Sequence, residues 1–113
     1  MHELGITQSI IEIAQDHARA ENAAQVLSVT VEIGALSGVV PDAVEFCFEA
    51  CSKETLLDGA RLIIEFVPGR ARCSACAWED QIDQLTYTCP GCGNLSLERL
   101  QGEELRVKEL EID

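Results

Sequence analysis

Basic residues are what this chain lacks most. Eight Lys and Arg stand against twenty Asp and Glu, for a formal net charge of −12 over 113 residues, and the eight are scattered without a cluster. Binding to a phosphate backbone rests on cationic side chains, so nucleic-acid partners are excluded. A solvated acidic surface accounts for most of the charge without any function. Long apolar runs are missing too, and nothing approaches the roughly 20 residues a membrane helix needs. At the N-terminus there is no basic stretch, and Glu3, Glu12 and Asp16 interrupt any hydrophobic run. No secretory leader is expected there, and the expectation is a cytoplasmic protein in which disulfides are rare. There is no Ser/His/Asp pattern and no phosphate-cradling glycine loop, so no enzyme activity is expected.

Against these absences stand six cysteines. Four form two tight pairs, Cys73-Ser-Ala-Cys76 and Cys89-Pro-Gly-Cys92, separated by twelve residues. Each pair can fold into a knuckle that aims two sulfurs at one point, and two facing knuckles make a tetrahedral four-thiolate site. Zn(II) suits such a site, with Zn–S bonds of about 2.3 Å. Pro90 and Gly91 supply the tight turn, and Gly93 permits positive φ just past the last ligand. A thioredoxin-like dithiol needs one pair ahead of a helix rather than two in a turn-rich segment. Iron in a rubredoxin-like site stays open as the competitor, since geometry alone does not separate it from zinc. The remaining two, Cys47 and Cys51, share a helical stripe with Val44 and Phe48 and read as small buried hydrophobes.

The rest of the chain reads as a small α+β fold. Residues 4 to about 21 look helical, with Ile6, Ile10, Ile13 and His17 at i, i+4, i+7, i+11 and Ala14 and Ala18 beside them. His17 ends that stripe and reads as packed or hydrogen-bonded rather than metal-bound. Residues 26–33 alternate as a half-buried strand, with Val29, Val31 and Ile33 on one face and Ser28, Thr30 and Glu32 on the other. Residues 34–38 are a loop. Pro41 and Asp42 open a second helix, where a proline loses nothing by lacking its N–H. Residues 61–67 form a second strand, closed by Pro68-Gly69. Residues 104–112 alternate again, but the apolar parity changes between Leu105/Val107 and Leu110/Ile112, which predicts a β-bulge near Lys108-Glu109. That last strand needs the earlier sheet. The expected fold is therefore a three-stranded antiparallel sheet with two helices on one face. Residues 1–69 and 103–113 would make one discontinuous domain, and residues 70–102 an inserted zinc-ribbon-like domain.

Met1-His2-Glu3 has two readings. One is an ordinary frayed terminus. The other is chelation: the α-amine, the His2 amide nitrogen and the His2 imidazole can close adjacent rings around one ion, with Glu3 adding a carboxylate or its own amide nitrogen. Such nitrogen donors suit Ni(II) or Cu(II) before Zn(II). Methionine removal is not expected before a bulky histidine, so this frame would be kept.

Met1-His2-Glu3 opening a helix, a strand ending at Ile33-Gly34 and the inserted Cys73/Cys76…Cys89/Cys92 quartet together resemble the HypA/HybF family over nearly the whole chain. The resemblance implies a nickel metallochaperone for [NiFe]-hydrogenase maturation, with some members also serving urease. It implies Ni(II) as transient cargo, with His2 as the indispensable ligand and the Glu3 region contributing beside the Met1 amine of the chelate reading, and a structural Zn(II) on Cys73, Cys76, Cys89 and Cys92. It further implies a GTPase partner of the HypB type and a hydrogenase large-subunit precursor as acceptor. Asp42 matches an acidic residue that some members place near the nickel site, and serves equally as a helix-start residue. The oligomeric state is open, a homodimer included. A zinc-ribbon protein–protein adaptor without a second metal remains as the other reading of the residues, and a rubredoxin-like electron carrier as a third.

Overall fold

The computed structural model describes residues 3–113. The chain runs α1 (Glu3–Ala20), β1 (Val26–Gly34), α2 (Pro41–Ser52), β2 (Arg61–Val67), β3 (Arg70–Cys73), β4 (Glu79–Gln81), β5 (Leu97–Gln101) and β6 (Leu105–Ile112). Two three-stranded sheets result, ordered β2–β1–β6 and β4–β3–β5. The second is inserted between the last two strands of the first. The Cα radius of gyration is 17.4 Å, against about 13 Å for a compact domain of this length, so the sheets lie along a 55 Å axis rather than on one another. No helix among the described residues is long and apolar enough to cross a membrane.

The α+β class and the helical layer on one face agree with the sequence reading, but the first sheet is mixed rather than wholly antiparallel. β1 pairs parallel with β2 and antiparallel with β6. The reason is α2: it carries the chain back along the sheet, and a strand entered after such a crossover runs in the direction of the strand before it. The bulge lies where the apolar parity changes. Thr30 opposes Glu109 and Val31 opposes Val107, leaving Lys108 as the extra residue.

Two details of the core differ from the sequence reading. On α1 the buried residues are Thr7, Ile10, Ile11, Ala14 and Ala18, while Ile13 and His17 are exposed. The stripe keeps the expected spacing but starts one residue later, at a threonine. Thr7 can be buried because its hydroxyl donates to the Glu3 carbonyl at 2.7 Å. On β1, Ser28 and Thr30 are buried along with Val29, Val31 and Ile33. As the central strand, β1 has Ile63 and Glu109 flanking Thr30 and Glu111 beside Ser28, and these longer side chains cover the face that carries no helix.

Helices and sheet enclose a core of Ile10, Ile11, Ala14, Val29, Val31, Ile33, Val44, Phe48 and Leu57, with Cys51 packed at its margin. Cys47 and Cys51 are half-buried, in keeping with small apolar residues on the α2 stripe. The insert has its own smaller core of Leu36, Ala71 and Ile82, with Trp78 and Leu97 against it. Leu36 comes from the loop after β1, so the main fold lends the insert a side chain it could not supply itself.

Glycine backbones join the two sheets. The Leu36 N–H donates to the Gly102 carbonyl at 2.6 Å, Gly34 N–H to Glu104 at 2.7 Å, and Ile82 N–H to Gly69 at 2.9 Å. A Cβ at Gly34 would fall on the Gly102 carbonyl, and one at Gly69 would meet the Ile82 oxygen at 2.6 Å and Leu36 Cγ at 2.8 Å. Gly102 also has φ of +112°. No larger residue fits where these three chains cross.

Candidate metal centre

The two cysteine pairs form knuckles with one hydrogen-bond plan. In the first, Ala75 N–H points at Cys73 Sγ (3.4 Å), Ala77 N–H donates to the Cys73 carbonyl (2.9 Å), and Cys73 N–H to Trp78 (2.7 Å). In the second, Gly91 N–H points at Cys89 Sγ (3.3 Å), Gly93 N–H donates to the Cys89 carbonyl (2.7 Å), and Cys89 N–H to Asn94 (2.8 Å). Each closes on a residue of positive φ, Ala77 at 64° and Gly93 at 75°. The glycine was legible in the sequence. The alanine was not, although aligning Cys-Ser-Ala-Cys-Ala-Trp on Cys-Pro-Gly-Cys-Gly-Asn puts Ala77 over Gly93.

β3 delivers Cys73, and the knuckles face each other so that all four sulfurs lie within 4.8 Å of one another. Cys73 and Cys92 are 3.7 Å apart, Cys76 and Cys89 3.6 Å. Metal–sulfur bonds of about 2.3 Å in a tetrahedron give sulfur–sulfur edges of about 3.8 Å, so the donor set fits one four-coordinate ion. Cys73 and Cys89 are buried, Cys76 and Cys92 exposed.

Without a cation, Cys73, Cys76 and Cys92 are pushed in different directions. Burial opposes ionisation of Cys73, but the N–H groups of Cys76 and Ala75 outweigh it and pull the thiol down to about 7. At Cys76 the Trp78 N–H favours the thiolate, yet the Cys89 sulfur, burial and the other thiols push it up to about 12. Cys92 also moves up: the Asn94 N–H is outweighed by burial and by the sulfurs of Cys73 and Cys89. A divalent ion removes that conflict, because thiolates rather than thiols are its ligands.

The other residues singled out in the sequence are not gathered into one cluster. Met1 and His2 lie outside the described residues. Glu3 begins α1, half-buried, and its carboxylate accepts the Val40 N–H at 3.4 Å. Val40 is the N-cap of α2 and has no side-chain cap of its own, a contact that sequence reasoning missed. Asp42 is exposed two residues further on. His17, expected to be packed or hydrogen-bonded, is exposed fourteen residues along α1 from Glu3, about 21 Å at 1.5 Å per residue. It lines a groove with Glu21 and the β6 residues Val107, Leu110 and Ile112.

Comparison with known proteins puts this geometry in context. A family model described as hydrogenase/urease nickel incorporation, metallochaperone, hypA, matches residues 1–112. Hydrogenase maturation factor HypA of Geobacter metallireducens is 55% identical over 113 residues, covering 100% of both chains. The HypA of Geobacter sp. strain M21 is 56% identical over the same span, again with 100% of both chains covered. Among solved structures, the Ni metallochaperone HypA from Helicobacter pylori superposes with a TM-score of 0.69 at 27% identity, covering 99% of this chain and 97% of that one. The chain belongs to the HypA family of hydrogenase maturation factors, which are metallochaperones and not enzymes.

Proposed function

We propose that the chain carries nickel during maturation of [NiFe]-hydrogenase, holding Ni(II) through Met1, His2 and Glu3 and a structural Zn(II) on Cys73, Cys76, Cys89 and Cys92. The observation that carries this reading is the match of the nickel-incorporation family over residues 1–112, which takes in both candidate sites. The Glu3 contact with Val40 supports it, since it fixes Glu3, the one described member of that ligand set, against the start of α2.

The two sites would work differently. Four thiolates close the coordination sphere of zinc and leave no open position, which suits a structural role. At the terminus, the amine, amide and imidazole nitrogens can leave one at a time, so nickel passes to an acceptor by ligand exchange. Acid returns protons to all three and weakens binding. Residues 1–69 and 103–113 act as the nickel-binding domain and residues 70–102 as the zinc-binding domain. A HypB-type GTPase supplies the nucleotide step, and the hydrogenase large-subunit precursor in the cytoplasm receives the metal.

Calorimetric titration with Ni(II) tests this reading. His2→Ala is expected to abolish the tight site while zinc content and far-UV circular dichroism persist. One residue added ahead of Met1 should do nearly as much, because the α-amine moves out of chelating reach. Unchanged nickel binding in both variants sinks the terminal chelate and leaves a zinc-ribbon adaptor. Elemental analysis before nickel is added identifies the thiolate-bound ion, and visible absorbance at that stage would mark iron.

A further inference from the structure

β6 (Leu105–Ile112) is an edge strand, with β1 on one side and no strand on the other among the described residues. All eight of its residues are exposed or half-buried. Such an edge is a template for another strand. What distinguishes this one is its match to itself. Laid antiparallel on a copy about a two-fold axis between Lys108 and Glu109, the strand sets Leu105 opposite Ile112, Arg106 opposite Glu111, Val107 opposite Leu110 and Lys108 opposite Glu109. Every apolar residue meets an apolar one and every cation a carboxylate, the cross-strand pairs that stabilise sheets.

In a regular strand this register is forbidden. Val107 and Leu110 differ in parity and would point to opposite faces, as would Lys108 and Glu109. The bulge at Lys108 lifts that restriction. Beyond it, Leu110 and Ile112 rejoin Val107 against the helix-side core, and Leu105 stands beside the buried Ile33. On the open face Arg106 binds Glu32, Lys108 binds Glu65 and Glu111 meets Ser28. Glu109 opposes Thr30 there. Each of the four rows therefore joins residues of one face.

The charges are also available. Glu109 and Glu111 make no ion pair among the described residues, while Arg106 and Lys108 hold one carboxylate each and keep donors for a second. On the helix side, the groove of about 260 Å³ along Val107, Leu110 and Ile112 leaves room for the partner's apolar row.

We propose that β6 is a homodimer interface, at which two copies join edge to edge into one six-stranded sheet. Sedimentation equilibrium of the full, metal-loaded chain from about 1 µM to about 1 mM tests it, the range in which an interface of one strand pair is expected to dissociate. A reversible dimer is expected. The double variant E109K/E111K puts cations opposite cations and should weaken it at least tenfold, about 1.4 kcal/mol. R106E/K108E should do the same with carboxylates, and an equimolar mixture of the two should restore a dimer, because all four rows are complementary again. If R106E/K108E does not fold, amide exchange across Leu105–Ile112 in the unaltered chain decides: slowing at high concentration supports β6 pairing, and concentration-independent exchange overturns it. A chain that stays monomeric throughout also overturns it, the bulge and Lys108 then serving as edge protection. A dimer that neither double variant weakens overturns it as well, placing the contact elsewhere.

Discussion

Adding one methyl group at Gly34 should cost this protein more than removing one from most of its core. Gly34 ends β1 where it passes under the Gly102–Glu103 peptide, and a Cβ built on it would fall on the Gly102 carbonyl and lie 2.8 Å from the Glu103 nitrogen. The obstacle is backbone, so no side chain can rotate away, and the β5–β6 connection must move aside. That displacement loosens the hydrogen bonds from Gly34 N–H to Glu104 and from Leu36 N–H to Gly102. At about 1 kcal/mol each, with about 1–3 kcal/mol of overpacking strain, Gly34→Ala is expected to cost roughly 3–5 kcal/mol. Against a typical total of about 5–15 kcal/mol this is a large share. Gly5→Ala is the control: Gly5 is an exposed position of α1 with nothing within 4 Å of its Cβ, so the same change should be neutral or stabilise by up to about 1 kcal/mol. Urea unfolding followed by far-UV circular dichroism measures both. If Gly34→Ala unfolds within about 0.5 kcal/mol of the unaltered chain, the ordinary range of a surface change, the glycine crossing is not what holds the sheets together.

Two further outcomes concern the cysteine insert. Cys76, near 12, and Cys92, also raised, both carry protons in the metal-free chain at pH 7, so zinc uptake should release at least two protons, read from binding enthalpies in buffers of different ionisation heat. Cys73, lowered to about 7, is a thiolate above that pH and a thiol below it. Its proton joins those released as pH falls, and a release that shrinks on acidification would contradict the assignment. Ala77→Gly should stabilise the zinc-bound insert by up to about 1 kcal/mol and Gly93→Ala destabilise it by about 1 kcal/mol in thermal melts, because both positions hold the left-handed conformation.

What was legible in the sequence was whatever depends on neighbours along the chain. The knuckle at Cys89–Gly93 follows from Pro90 and two glycines, and the bulge at Lys108 from a change of apolar parity within one strand. The bounds of β2 follow from its flanking turns. What depended on distant residues was not legible. The parallel pairing of β1 with β2 is set by the path of α2, not by either strand's composition. The α1 stripe was read one residue early because Thr7 is polar, and only its bond to the Glu3 carbonyl makes its burial affordable. β3 and β5 carry no continuous apolar run, because Arg70, Arg72, Glu98 and Arg99 break it up; Arg72 pairs with Glu98 across the two strands at 3.1 Å.

Leu36 shows why the insert is not a bead on a string. Linkers rich in glycine ordinarily let domains move independently, yet here the glycines lie in contact with other backbone and carry hydrogen bonds across the crossing. The loop that follows β1 belongs to both sheets. Its Leu36 side chain packs with Ala71 and Ile82 in the insert, and Ser37 fastens it to the Gly34 carbonyl at 2.7 Å. At its far end, Val40 N–H reaches the Glu3 carboxylate. Six residues, 35–40, thus connect the core beneath the cysteine quartet to the first turn of α1. Between these two contacts Val39 is buried in the main core, so one short loop is packed at once against the insert, the main core and the first turn of α1.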